Sequence, residues 1–293
     1  MWKKFLIVIV MLALQAGAAE KNVIIGVLED VTARYAGEPY KRAVRVVFEK
    51  NGSEWRAFPN DCEDVNCLKT AVSRYPEKVE WTVAFDGKSL GRLTTRAKEI
   101  QFYSNIGLQE ITGAAAIPAV GERTYTTFAS DTLYRPLIAV SQPNFKDPEL
   151  WKPAKISPQI LASMRRMFRE KFPRLCRLNQ DENPVPFDYI DKEINVRKAY
   201  ASQKGWILAA LNLKDAVTCT PELPMVGIDC WFVVDPQKKF QHLDVEGWLV
   251  DAGDYDRDGK SELIFQIDDY NRGGYVLYYD DFKKRAVFGF TYH

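Results

Sequence analysis

The stretch Trp248-Leu249-Val250-Asp251-Ala252-Gly253-Asp254-Tyr255-Asp256-Arg257-Asp258-Gly259-Lys260-Ser261-Glu262-Leu263-Ile264-Phe265-Gln266-Ile267 decides how the chain is read. Asp254, Asp256 and Asp258 alternate, and Gly259 follows at once. Carboxylates at every second position repel one another unless a cation sits among them, and a hard cation such as Ca²⁺ takes about six to eight oxygens. With Asp254 as the first position, Gly259 falls where a sharp turn needs a residue without a Cβ. Lys260 offers its backbone oxygen, and Glu262 offers a carboxylate directly or through water. An EF-hand would close on an acidic residue three positions later, where this chain has Phe265. The flanks are strands, because Leu263, Phe265 and Ile267 alternate with Ile264 and Gln266. The reading is therefore strand–loop–strand, with Asp254, Asp256, Asp258, Lys260 and Glu262 as the ligand set for one structural Ca²⁺.

Outside this stretch the chain is also written in strands. Val23 to Leu28 and Ala43 to Glu49 are rich in β-branched residues, and Asn51-Gly52 predicts a tight hairpin turn into Trp55–Phe58. Trp81 to Phe85, a turn at Asp86-Gly87 and Leu90 to Thr94 read as a second hairpin. Further strands are expected at 100–111, 134–141, 194–201, 206–213, 230–234, 240–243, 275–279 and 286–292. A short helix is expected from Asp64 to Tyr75. One strong helix begins at Ser157-Pro158 and stops at Pro173, with Ile160, Leu161, Met164, Met167, Phe168 and Phe172 on its apolar face. Residues 179–187 read as loop. The fold class is mainly β and antiparallel, with one inserted amphipathic helix. Such a chain must hide its edges by closing a barrel, stacking sheets or repeating blades radially. An irregular β-propeller of about five blades is the expectation.

Leu249 to Leu263 resembles the calcium loop of FG-GAP (VCBS-type) repeats, as in integrin α-subunit propellers. That pattern is an apolar strand, Gly-Asp-x-Asp-x-Asp-Gly, two further residues, an acidic residue and a second apolar strand. The resemblance implies the same five ligands and a loop inside one propeller blade, here the unit 247–293. The motif occurs once in this chain.

Residues 1–19 read as an export signal. Lys3 and Lys4 precede an apolar run from Phe5 to Leu14, and Ala16-Gly17-Ala18-Ala19 supplies small residues for cleavage. An uncleaved anchor is the alternative, although the run is shorter than the ~20 apolar residues of a membrane helix. Residues 20–293 then form a single β-rich domain, periplasmic or extracellular, with no membrane span after signal removal. The formal charge of +1, from 40 basic and 39 acidic residues, gives no support for nucleic-acid binding. The five cysteines fit an oxidising compartment. Cys62 with Cys67 and Cys219 with Cys230 are candidate disulfides, and Cys176 with Cys219 is the rival to the second pair. A zinc site would prefer CxxC pairs and nearby histidines, and the chain has only His242 and His293.

No nucleophile elbow, phosphate loop or metalloprotease helix is present. The expected function is a non-catalytic binding or interaction module for a protein or glycan. The alternative is a secreted polysaccharide hydrolase using C-terminal acids such as Asp268-Asp269 or Asp280-Asp281. A purely structural part of an envelope assembly is a third reading.

Overall fold

The structure, a computed structural model, describes residues 22–30, 42–60, 65–98, 103–114, 117, 136–143, 145, 147, 149–219, 229–269 and 271–292. The expected export segment, Cys62 and the side chain of Cys67 lie outside the described residues.

The N-terminal part contains β1 (Ile24–Asp30), β2 (Arg42–Asn51), β3 (Glu54–Ala57), α1 (Val65–Val72), β4 (Lys78–Phe85), β5 (Lys88–Ala97), β6 (Leu108–Ala114) and β7 (Leu137–Val140). The strands pair antiparallel in the order β1-β7-β4-β5-β6-β2-β3, and β1 also pairs with β2. That extra pairing joins the first strand to the sixth and closes a six-stranded barrel. Closure removes the sheet edges that a long antiparallel chain must otherwise protect. Only the short β3 hangs outside the ring, on the far end of β2. On β4, β5 and β6, buried Trp81 donates to Thr95, and Thr95 to Gln109, so the polar atoms of this apolar wall satisfy one another.

The chain then forms β8 (Lys152–Pro153), α2 (Pro158–Lys171), β9 (Leu175–Leu178), β10 (Pro184–Phe187), β11 (Ile194–Ala201), β12 (Ile207–Leu213), β13 (Asp229–Val234) and β14 (Phe240–Leu243). Five of these make a sheet in the order β14-β13-β12-β11-β8, and β9 pairs with β10. Side chains alternate cleanly across the five-stranded sheet. Ala209, Leu211, Phe232 and Val234 pack with Met164 and Phe168 of α2. Leu208, Ala210, Trp231 and Val233 face the other way. The helix starts where the sequence says. Ser157 Oγ accepts the Ile160 N–H, and Pro158 occupies the first turn. The segment 179–187, expected as loop, holds β10. Pro184 and Pro186 hid it, yet a proline is tolerated in an edge strand that is paired on one side only.

Last come β15 (Trp248–Gly253), β16 (Glu262–Asp269), β17 (Arg272–Tyr279) and β18 (Lys284–Thr291), a four-stranded antiparallel sheet in chain order. This sheet is the middle layer of the molecule. Val250, Ile264, Leu277 and Phe288 pack into the core of the barrel side. Leu249, Leu263, Phe265 and Val276 pack into the core shared with the five-stranded sheet. The layers are barrel, four-stranded sheet, five-stranded sheet and helix. The fold is mainly β and antiparallel, as expected. A ring of like blades is not visible among the described residues, where two four-stranded meanders, β11–β14 and β15–β18, stand beside a barrel.

One disulfide corrects the cysteine reading: Cys176 bonds Cys219, with Cα atoms 5.1 Å apart. Cys176 and Val217 face each other as an antiparallel bridge, which carries Cys219 to Cys176. The Cys219–Cys230 pairing is thereby excluded. Cys230 sits opposite Leu211 in β13, buried against α2. Among the described residues, no helix is long and apolar enough to cross a membrane.

Candidate metal centre

The acidic loop spans 254–261 and joins β15 to β16, the central layer's first hairpin. Gly253 opposite Glu262 is the last ladder pair, so Glu262 opens β16 beneath the loop. The loop folds on its own carboxylates. Asp254 Oδ2 accepts the Gly259 N–H at 3.0 Å, Asp256 Oδ1 that of Asp258 at 3.1 Å, and Glu262 Oε2 that of Tyr255 at 2.9 Å. Gly259 takes a φ of 88°, a left-handed value that glycine adopts without steric cost.

Three carboxylates converge. Oxygens of Asp254, Asp256 and Glu262 all lie within 4.8 Å of one another. Two oxygens held at about 2.3–2.6 Å by one Ca²⁺ can be no more than about 5 Å apart, so the spacing fits a shared ion. Asp254 is only 5% exposed and Glu262 1%. Asp254 Oδ1 is buried with no hydrogen-bond partner. An orphaned buried carboxylate oxygen is costly, and a cation answers that cost. Burial, reinforced by Asp256 and Asp258, pushes the Asp254 carboxyl up to about 6. Burial and the Asp256 charge hold Glu262 well above the usual carboxylate range. Both shifts describe negative charge crowded where water cannot screen it.

The other two sequence-derived ligands stand differently. Asp258 is exposed, and its Oδ1 accepts the Lys260 N–H at 2.8 Å. The Lys260 ammonium reaches Asp281 at 3.0 Å and Asp280 at 3.3 Å, on the turn between β17 and β18.

The loop is also gripped from both neighbouring layers, by residues the sequence reading did not single out. Lys50 of β2 pairs with Asp256 Oδ2. Lys204, in the turn between β11 and β12, donates to the Gly259 carbonyl. Ser261 Oγ donates to Asp147 Oδ1 at 3.0 Å and receives the Trp151 indole N–H at 3.1 Å. The Ser261 N–H reaches Glu149 Oε1 at 3.3 Å. A cavity of about 210 Å³ opens beside this seam, with Trp151, Tyr200 and Asp251 in its wall. These partners lie 55 to 206 positions from the loop, and no local motif marks them.

The C-terminal acids named for hydrolysis are engaged elsewhere. Asp268 Oδ1 accepts the Tyr292 hydroxyl at 2.8 Å. Hydrogen bonds from Lys260 and Lys284 hold Asp280 below the usual carboxylate range, the opposite of a general acid. The side chain of Asp269 and all of His293 lie outside the described residues. Tyr275, Tyr278 and Tyr279 are buried in the central layer. His242 lies edge-on to Phe232, with ring centroids 5.6 Å apart.

No family model, curated protein or solved structure matches this chain.

Proposed function

We propose that this is an exported, non-catalytic binding or interaction protein whose acidic loop holds one structural Ca²⁺. The observation that carries the metal is the buried Asp254–Asp256–Glu262 triad, with Asp254 Oδ1 unpartnered at the point where three layers meet. The likeness of Leu249–Leu263 to an FG-GAP calcium loop supports the same ion. Asp254, Asp256 and Glu262 would hold it by their carboxylates, and Asp258 and the Lys260 carbonyl complete the expected set. Bound there, the ion supplies charge neutralisation and rigidity, and the loop transmits both to the barrel through Lys50 and to the five-stranded sheet through Lys204. The Cys176–Cys219 disulfide and the signal-like residues 1–19 support a periplasmic or extracellular site of action. The partner is a protein or a glycan.

Titration calorimetry with Ca²⁺ on the wild type and on Asp256→Ala tests the reading. The wild type should bind one ion with a Kd of roughly 10⁻⁵ to 10⁻³ M, and the variant far more weakly. Identical traces, or no heat in either, would remove the metal from the account. Turnover of a polysaccharide would remove the non-catalytic part.

A further inference from the structure

The geometry points to Lys50 as the residue that sets which charge of ion the acidic loop accepts. The inference rests on the metal reading above and concerns the same site. Lys50 is the penultimate residue of the long strand β2, where it lies opposite Trp55 of β3. Its ammonium stands 5.4 Å from the Trp55 ring centroid and pairs with Asp256 Oδ2. The two side chains are only 16% and 3% exposed. This is a sheltered pair, in which water screens charge poorly. Two other lysines near the loop are committed to other groups, and Arg257 of the loop is exposed. Lys204 caps the Gly259 carbonyl, and Lys260 bridges Asp280 and Asp281.

The charge balance follows directly. Among the sheltered groups, Asp254, Asp256 and Glu262 together carry three negative charges when ionised; Asp258, the fourth carboxylate of the proposed set, is exposed, and water screens its charge. A divalent ion leaves one of them uncancelled, and the Lys50 ammonium cancels it. With Lys50 in place the triad is neutral around a divalent ion and carries one excess positive charge around a trivalent one. Without Lys50 the balance moves by one unit, and the trivalent ion becomes the neutral match. A buried site disfavours uncompensated charge, so a residue that moves the balance by one unit moves the preference. Lys50 also repels any cation that enters beside it. The metal-free protein therefore uses it as a tethered substitute ion.

The test measures Ca²⁺ and Tb³⁺ affinities, by calorimetry and by terbium luminescence with calcium competition, for the wild type, Lys50→Met and Lys50→Arg. Circular dichroism confirms that each is folded. Lys50→Met should bind Ca²⁺ at least roughly tenfold more tightly than the wild type. It should gain more for Tb³⁺, so that the Tb³⁺/Ca²⁺ preference rises by at least about tenfold. Lys50→Arg, which keeps the charge, should match the wild type. A merely structural lysine would change both ions by the same factor. A folded Lys50→Met with an unchanged ratio, or with weaker Ca²⁺ binding, overturns the role of Lys50 and leaves the metal reading standing. Absence of binding in all three proteins overturns both. If Lys50→Met does not fold, Lys50→Gln removes the same charge, keeps a polar contact to Asp256 and leaves every proposed ligand intact. Its Tb³⁺/Ca²⁺ ratio should also rise by at least about tenfold, and an unchanged ratio would overturn the inference.

Discussion

The Tyr275 hydroxyl donates to Glu29 Oε1 at 2.7 Å, across 246 positions of sequence. This bond joins the central layer to the barrel away from the acidic loop. Glu29 also receives Arg45 through Nε at 2.7 Å and Nη2 at 3.0 Å, and Arg45 donates on to the carbonyls of Ile106 and Ser104. Four of the five Arg45 N–H donors and the Tyr275 hydroxyl meet acceptors, which is the condition under which a buried ion pair is tolerated. Tyr275→Phe should cost about 1–2 kcal/mol in urea unfolding, as one hydrogen bond to a charged acceptor is lost. Glu29→Gln should cost more, about 3–5 kcal/mol, because it leaves the Arg45 guanidinium buried without its counter-charge. Equal effects of the two substitutions would contradict the arrangement.

The response to pH should change sign with calcium. The Asp254 carboxyl sits at about 6 in the metal-free fold, against about 3.9 in an unfolded chain. Between those values the native state binds more protons than the unfolded state, so stability must fall as pH rises through that window. The raised Glu262 carboxyl acts in the same direction and carries the loss to higher pH. In excess calcium the ion requires both groups ionised, and its stabilisation grows with pH. Melting temperatures recorded from pH 4 to pH 7, in chelator and in calcium, should therefore diverge. Parallel curves would count against a cation at the triad.

Calcium itself should stabilise by mass action. With a Kd near 10⁻⁴ M, about 10 mM Ca²⁺ adds roughly 2.7 kcal/mol to the unfolding free energy. Glu262→Gln should abolish that increment. Asp258→Asn should retain part of it, since Asp258 is the exposed member of the proposed ligand set.

Two glycines separate backbone conformation from packing. A Cβ on Gly259 would meet nothing within 4 Å, so Gly259→Ala bears only the strain of its φ of 88°, about 1 kcal/mol. A Cβ on Gly274 would lie 2.2 Å from the Phe288 carbonyl oxygen and 3.0 Å from Gly289 Cα, both backbone atoms of the paired strand β18. Gly274→Ala should therefore cost about 3 kcal/mol or more and spread β17 from β18. Thermal melts of the two variants should differ clearly in that order.

The Cys176–Cys219 bond closes a separation of 43 positions. On loop entropy alone its loss costs about 4 kcal/mol. Cys176→Ser/Cys219→Ser should fall by up to that amount in urea unfolding. Cys230→Ser lies outside the bond, and its effect should be confined to its buried place against α2.

Much of the β content was legible because the apolar pattern carries it. The hairpins at Asn51-Gly52 and Asp86-Gly87 lie where turn chemistry puts them, and α2 runs between its Ser157-Pro158 start and Pro173. The convergence of Asp254, Asp256 and Glu262 was legible too, because the loop is local. Closure of the barrel was not, since it rests on β1 meeting both β2 and β7, and a strand's alternation does not name its neighbours. The same limit hid Lys50, Lys204 and Glu149, which reach the loop only through the stacking of layers. The cysteine pairing failed for a related reason. Cys230 is nearer to Cys219 in sequence, but β13 pins it opposite Leu211 while the Val217 bridge brings Cys219 to Cys176.

The middle layer is built from the last strands of the chain. During synthesis the barrel and the five-stranded sheet are both made before the sheet that covers their facing surfaces. Val47, Trp231 and their neighbours must wait, wetted, until β18 has emerged. Folding of these faces is thus gated by the emergence of β15 to β18. A ribosome stalled before β15 would display two unfinished apolar faces, the natural substrate of a holdase chaperone.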